Sequence, residues 1–519
     1  VLTAHPTQFY PDNVLGIITD LTEAIKNNKL LDIKNYLTQL AKTSFFKSKK
    51  PSPFDEAVNL IWYLENVFYH SFGDIYNYIK ENIFNNKDFE NNLMSIGFWP
   101  GGDRDGNPFV TPEITLQVAD RLKQTIVKNY YKDVRELKRR LTFKGVEEKI
   151  NAIQDKLYLV IFEKDKDYNF SSQNLINDLL KIKQLIVKEH QSLYLNLVDS
   201  LINKVKLFGS HFATMDIRQD SRVHNNVFNE IVKSSIKNKL GPFPNNYFEL
   251  IETEQIQILS KVKGSIDLSN FSDKLVLNTL NTIKAIKKIQ NSNGEKAANR
   301  YIISNNKTAL NVMQLYAMLK LVAFDEVLTI DICPLFETIE DLENASDVMK
   351  TLYTNPTYLA HLRSRRLKQN IMLGFSDGTK DGGYLMANWA IYKAKQMLTS
   401  ISRKYKVDVI FFDGRGGPPA RGGGKTHKFY ASLGPSIESK EVQLTVQGQT
   451  ISSNFGTLDS SKYNIEQLMS SGILNKLNET DLTISNDCHE TMDNLSKISY
   501  EAYVNFKNHP KFLPYLEHM

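Results

Sequence analysis

From Arg300 onward the chain settles into a rhythm that few folds can carry. Apolar, β-type runs recur at 301–304, 328–336, 370–375, 407–412 and 441–446. Each gives way to a polar residue: Asn305, Glu337, Asp377, Arg415 and Gln447, spaced 32, 40, 38 and 32 residues apart. That spacing suits one strand plus one return helix, roughly 30 residues or more. Helical stretches at 309–321 and 383–404 fill the gaps. Three earlier runs end near His5, Asp103 and Arg218, which brings the strands to eight. Eight strands alternating with helices, each ending on a polar group, predict an α/β fold of the (β/α)₈ TIM-barrel type. The first units would carry large helical insertions at 113–205 and 225–300. The whole would be helix-dominated, with residues 1–519 forming a single barrel domain.

The strand ends hold the chemistry. V-L-T-A-H-P-T-Q at 1–8 is a short strand stopped by Pro6, which biases His5 to extended geometry. A histidine there suits proton transfer or a structural role. Residues 11–90 read as largely helical, with Phe54, Ala57, Ile61 and Leu64 close to a 3.6 period after Pro51-Ser52-Pro53. The run at 95–110, S-I-G-F-W-P-G-G-D-R-D-G-N-P-F-V, is a strand entering a turn-rich loop. Its Asp103, Arg104, Asp105 and Asn107 suit a metal or oxyanion site, or a self-bonded turn. Thr111-Pro112-Glu113 opens a helix. A third strand at 208–222 presents Arg218 near its end. The stretch 411–427, F-F-D-G-R-G-G-P-P-A-R-G-G-G-K-T-H, joins a strand to glycines and arginines. Glycines admit close backbone approach, and guanidinium forks suit phosphate or carboxylate oxygens.

If the barrel forms, its mouth collects two carboxylates, Glu337 and Asp377, the cations Arg218, Lys380, Arg415 and Arg421, and His5. Carboxylates with few soft ligands suit Mg²⁺ or Mn²⁺. Arginines beside such a cation suit a phosphate ester. The residues thus predict a metal-assisted reaction on a small phosphorylated anion. A net charge of +6 on 519 residues argues against a dedicated nucleic-acid binder. The R-G-G segment is short and follows a strand, unlike long, repeated RNA-binding boxes. Two cysteines without a CxxC spacing exclude a disulfide scaffold or a cysteine zinc site and suit a reducing, cytoplasmic setting. No apolar run nears the roughly 18 residues of a membrane span. The chain starts at Val1 within a strand-like run and ends just after Phe512-Leu513-Pro514-Tyr515, so a fragment incomplete at both ends is expected.

Six runs resemble phosphoenolpyruvate carboxylase: V-L-T-A-H-P-T at 1–7, G-G-D-R-D-G-N-P at 101–108, M-D-I-R-Q at 215–219, P-L-F-E-T at 334–338, G-F-S-D-G-T-K-D-G-G at 374–383 and G-R-G-G-P-P-A-R-G-G-G at 414–424. They fall in the family's order across most of the chain. The resemblance implies carboxylation of phosphoenolpyruvate by bicarbonate to oxaloacetate and phosphate, through carboxyphosphate and an enolate, feeding the tricarboxylic acid cycle. By motif, Glu337 and Asp377 look like Mg²⁺ or Mn²⁺ ligands, and Arg218 and Arg415 like phosphate-binding arginines. His5 resembles the histidine that takes the carboxyphosphate proton, and Lys380 a bicarbonate- or charge-stabilising lysine. Trp99, Leu335 and Met372 resemble an apolar CO₂ pocket, and Arg421 an arginine used in catalysis and in binding a dicarboxylate inhibitor.

The resemblance further implies a cytoplasmic homotetramer longer at both ends, with another phosphate-binding arginine beyond Met519. One departure stands out. Where much of the family has F-H-G-R-G-G, this chain has Phe412-Asp413-Gly414-Arg415. The histidine's role does not carry over, and a carboxylate there calls for a partner, an arginine or Lys425. A degenerate or regulatory homologue is the alternative this departure suggests. A different phosphoenolpyruvate-using barrel, such as a phosphotransferase, would need a phosphohistidine swivelling domain, and none is evident.

Overall fold

Eight short parallel strands close on themselves in sequence order. They are β1 (Leu2–His5), β2 (Ile96–Phe98), β3 (Thr214–Asp220), β4 (Arg300–Ser304), β5 (Asp331–Phe336), β6 (Lys368–Leu373), β7 (Asp408–Asp413) and β8 (Val442–Gln447). The ring shuts where β1 pairs with β8, in register from Leu2 with Leu444 to His5 with Gln447. The computed structural model describes residues 2–5, 12–45, 51–85, 87, 89, 93–163, 170–238, 241–324, 327–415, 424–477 and 484–519, with backbone alone for Ala4, His5, Asp12 and 474–477. The predicted helix-rich (β/α)₈ barrel is what the chain forms.

Strand alternation sorts the side chains into two environments. Inward positions build an apolar layer of Trp99, Ile302, Cys333, Leu335, Met372 and Phe412, none more than 3% exposed. Other inward positions are polar: Arg300 donates to Asp216 at 2.9 Å, and Asn370 and Gln443 are buried as well. Outward residues such as Tyr301, Ile303, Ile371 and Phe411 join the larger core between strands and helices. Each fully buried aliphatic or aromatic side chain contributes about 1.5–3 kcal/mol.

Helix starts follow their signals. Ser52 and Asp55 form a reciprocal capping box ahead of Pro53–Tyr63. That helix continues through a π turn, Leu64–Phe68, into Tyr69–Asn82. Thr111 caps Pro112–Lys138. Between β2 and β3 stand Pro112–Lys138, Glu147–Phe162, Ser172–Glu189 and Leu195–Phe208.

Three strand readings shift most. β3 takes only Thr214–Asp220 of the expected 208–222, since Phe208 still ends a helix and Ser221 opens the next. β2 is only three residues long, because Pro100 and the following glycines turn the chain away. Pairing resumes as an isolated bridge from Asp103 to Arg218. β6 ends at Leu373, and Phe375 already opens a helix, Phe375–Gly382. Asp377 therefore lies in the first turn of a helix and not at a strand tip. Among the described residues no helix is long and apolar enough to cross a membrane.

Candidate active site

Glu337 is the next inward position after Cys333 and Leu335 on β5. The chain leaves the barrel directly after it, since Thr338 and Asp341 form a capping box that starts Ile339–Thr354. The backbone N–H of Asn305, past the end of β4, donates to Glu337 Oε2 at 2.8 Å. The helix bearing Asp377 lies close by. A Cβ at Gly374 would sit 3.3 Å from Glu337 Cα and Cγ, and one at Gly378 would sit 3.3 Å from the Glu337 carbonyl oxygen. Burial pushes the Glu337 carboxyl up to about 7. The Asn305 N–H and Arg218 pull it down, while the negative charges of Asp377 and Asp105 push it up.

Asp377 is half-exposed and accepts from Lys380 Nζ at 2.9 Å, one turn along the same helix. The far end of that helix is held by Asn486–Lys507. Tyr503 Oη donates to the Lys380 carbonyl at 3.0 Å, and Lys507 Nζ donates to the Asp381 carbonyl at 3.1 Å. A cation at a helix C-terminus is favourably placed.

Arg218 projects from β3 into a holder made by the loop after β2. Its Nε and Nη2 donate to the two oxygens of Asp103, both at 2.8 Å. Its guanidinium lies 4.6 Å from the centroid of the Trp99 ring. Trp99 in turn donates from Nε1 to Asp216 Oδ2 at 3.0 Å. The crowd of charges at 103–105 is thus chiefly an arginine clamp. It needs the glycine before it, because a Cβ at Gly102 would meet the Asp216 carbonyl oxygen at 2.1 Å.

Trp99, Leu335 and Met372 fall in one buried apolar cluster, and Ile302, Cys333 and Phe412 belong to it too. The sequence reading passed over those three. For Cys333 the signal was strand alternation, two residues before Leu335; Ile302 and Phe412 have no singled-out residue at that spacing.

Two neighbouring carboxylates, one of them partly buried and pushed up first by that burial and then by its neighbour's charge, fit a hard divalent cation. Among the described residues no group of three His, Cys, Asp or Glu forms a metal cluster. The protein's share would therefore be Glu337 and Asp377, with oxygens of substrate and water completing the shell.

Comparison with known proteins decides the family. The family model described as phosphoenolpyruvate carboxylase matches residues 1–160 and 146–519. The chain belongs to the phosphoenolpyruvate carboxylase family. Curated relatives bearing the name phosphoenolpyruvate carboxylase include one from Nitrosomonas eutropha, 29% identical over 572 residues, which covers 97% of this chain and 60% of the relative. Another, from Nitrosomonas europaea, is 28% identical over 570 residues with the same coverage. The chain thus spans about 60% of the length of these relatives.

Against the phosphoenolpyruvate carboxylase pattern, the remaining residues stand as follows. His5 ends β1 in register with Gln447, and its side chain lies outside the described atoms. Arg421 lies outside the described residues. Arg415, just past β7, stacks on Phe429 with its guanidinium carbon 4.1 Å from the ring centroid. Its Nη1 is buried and has no hydrogen-bond partner among the described residues. Burial lowers the Arg415 pKa, against the pull of Tyr430 and Asp413.

Asp413 answers the family departure in a way the sequence reading did not foresee. Its partner is neither an arginine nor Lys425. It shares the outward face of β7 with Phe411, while Phe412 points inward. There it is fully buried and pairs with Lys395 at 2.8 Å. Tyr430 Oη donates to it at 2.7 Å. Lys395 stands on the buried side of Tyr384–Lys404, beside Ile391, Ala394 and Leu398. A lysine in an apolar stripe was the available signal.

Proposed function

We propose that the protein containing this chain carboxylates phosphoenolpyruvate with bicarbonate, yielding oxaloacetate and inorganic phosphate. The observation that carries this reading is the grouping of Glu337, Asp377 and Arg218 over the Trp99–Leu335–Met372 layer. A divalent cation, Mg²⁺ or Mn²⁺, held by Glu337 and Asp377 would supply a hard positive charge for phosphate and enolate oxygens.

In the first step a bicarbonate oxygen attacks phosphorus and the enol oxygen leaves, giving carboxyphosphate and the enolate of pyruvate. Arg218, fixed by Asp103 and Trp99, and Arg415, on Phe429, bind and orient the phosphoryl group. Both are immobilised before substrate arrives, which lowers the ordering cost at reaction. His5, at the end of β1, takes the carboxyphosphate proton, so that the C–O bond breaks to release CO₂ and phosphate. Lys380 steadies bicarbonate or the developing charge beside Asp377. The apolar layer holds CO₂ near the enolate methylene carbon and keeps water from protonating it to pyruvate. The C–C bond then forms oxaloacetate, an entry of carbon into the tricarboxylic acid cycle.

The test is bicarbonate-dependent oxaloacetate formation by the full-length protein with Mg²⁺, followed by coupled NADH oxidation. Absence of bicarbonate-dependent oxaloacetate from that protein would overturn the reading.

A further inference from the structure

Asp413 is two residues before Arg415, yet it faces away from the barrel interior. One carboxylate there joins three elements. It ends β7, accepts from Lys395 Nζ of Tyr384–Lys404 at 2.8 Å, and accepts from Tyr430 Oη of Thr426–Ala431 at 2.7 Å. Phe429, next to Tyr430, is the ring beneath Arg415. The Phe429 and Tyr430 rings meet edge to face at 5.1 Å. Lys395 Nζ lies 5.4 Å from the Phe429 centroid. The other side of the arginine is also fixed, since the Gly414 N–H donates to the Leu373 carbonyl at 3.0 Å.

A buried ion pair is a weak source of stability, because apolar residues of similar volume often serve as well. Its specific effect is geometric. The Asp413–Tyr430 hydrogen bond anchors to the end of β7 the short helix that carries Phe429 under the guanidinium. The Arg415 Nη1 is buried and has no partner among the described residues.

We propose that Asp413, Tyr430 and Lys395 are positioning residues for Arg415, setting the Phe429 platform and hence the site at which Arg415 meets an anionic oxygen of the substrate. This rests on the reading of Arg415 as a phosphate-binding group.

The test is calorimetric titration of phosphoenolpyruvate into the full-length protein with Mg²⁺ and without bicarbonate. Tyr430→Phe deletes one hydroxyl and keeps the ring. Its Kd is expected to rise roughly tenfold at unchanged stoichiometry, as for the loss of one charge-assisted hydrogen bond. A merely structural role would lower the stoichiometry at constant Kd, and that result would overturn the proposal. In an Arg415→Gln background the Tyr430→Phe substitution should add nothing further; an equal rise there would also overturn it. If Arg415→Gln alone leaves the Kd unchanged, the phosphate-binding reading of Arg415 fails, independently of Tyr430. Should Tyr430→Phe not fold, Phe429→Leu removes the platform directly and is expected to raise the Kd to the same degree; an unchanged Kd would count against the platform.

Discussion

Lys395 and Asp413 show how a single position can reverse a sequence argument. Their side chains are 2% and 1% exposed, so neither charge has water to fall back on. Lys395→Met leaves an uncompensated buried carboxylate and should destabilise by about 3–5 kcal/mol, whereas Lys395→Met with Asp413→Leu should recover most of that loss. Urea unfolding followed by fluorescence measures both; equal loss in single and double variants would count against the pair. At Glu337 the prediction concerns binding. Glu337→Gln should raise the Mg²⁺ midpoint by at least about 10–100-fold, since even outer-shell changes do as much. A metal titration that superimposes on wild type would remove Glu337 from the ligand set. Both carboxylates, Arg218 and three members of the apolar layer, Trp99, Leu335 and Met372, were legible because each lies in a distinctive run near a strand end. Lys395 was not, because its importance comes from packing against a strand that follows it in the chain, and a lysine within an apolar helical stripe is the one local trace it leaves. The direction of the Asp413 side chain follows from strand alternation, once Phe412 is known to point inward.

At the scale of elements, all eight strands were legible, and the reason is physical. Parallel strands buried on both faces read as short apolar runs, and the helix between them imposes a minimum spacing. Boundaries were less legible where a turn competes with the strand. Phe375, apolar and read as strand, instead opens a helix after Gly374, which passes close to Glu337. The loop after β2 is the sharper case. The Gly102 carbonyl accepts from the Arg218 N–H at 3.1 Å, and the Arg218 carbonyl accepts from the Arg104 N–H at 2.9 Å. This seats the loop on β3 and brings Asp103 to the guanidinium. Gly102→Ala places a methyl 2.1 Å from a backbone oxygen that no side-chain rotation can move. The loop must lift, so the substitution should destabilise by about 1–3 kcal/mol or more and raise KM for phosphoenolpyruvate by loosening Arg218. A KM equal to wild type would show that the clamp tolerates the displacement.

Across the whole molecule, buried titratable groups pull stability in opposite directions with pH. Burial raises Asp216 to about 6, above the ordinary carboxylate range. Its contribution is fully present below the unfolded value and is lost as pH rises through about 6. Burial lowers His224 and His361 to about 3, aided at His361 by the cations Arg365 and Lys320. For these rings the sign reverses: the stability they confer is present above the unfolded value and is lost as pH falls toward 3. A pH profile of the wild-type protein alone therefore mixes cancelling slopes. His361 allows one of them to be isolated. It lies far from the mouth, between the rings of Tyr316 and Tyr358, each 5.8 Å away, and behind β6, where Tyr358 donates to Gln369 at 2.9 Å. An unfolded histidine titrates near 6.5, so lowering the pH from 7.5 to 5.0 should cost the folded wild type about 2 kcal/mol through this ring alone. His361→Gln keeps a polar, uncharged side chain and removes the proton site. The variant is expected to be less stable at pH 7.5, and to lose about 2 kcal/mol less than wild type on going to pH 5.0. Urea unfolding at the two pH values supplies the comparison, and parallel pH slopes for wild type and variant would mean that His361 is already protonated, or solvated, in the folded chain.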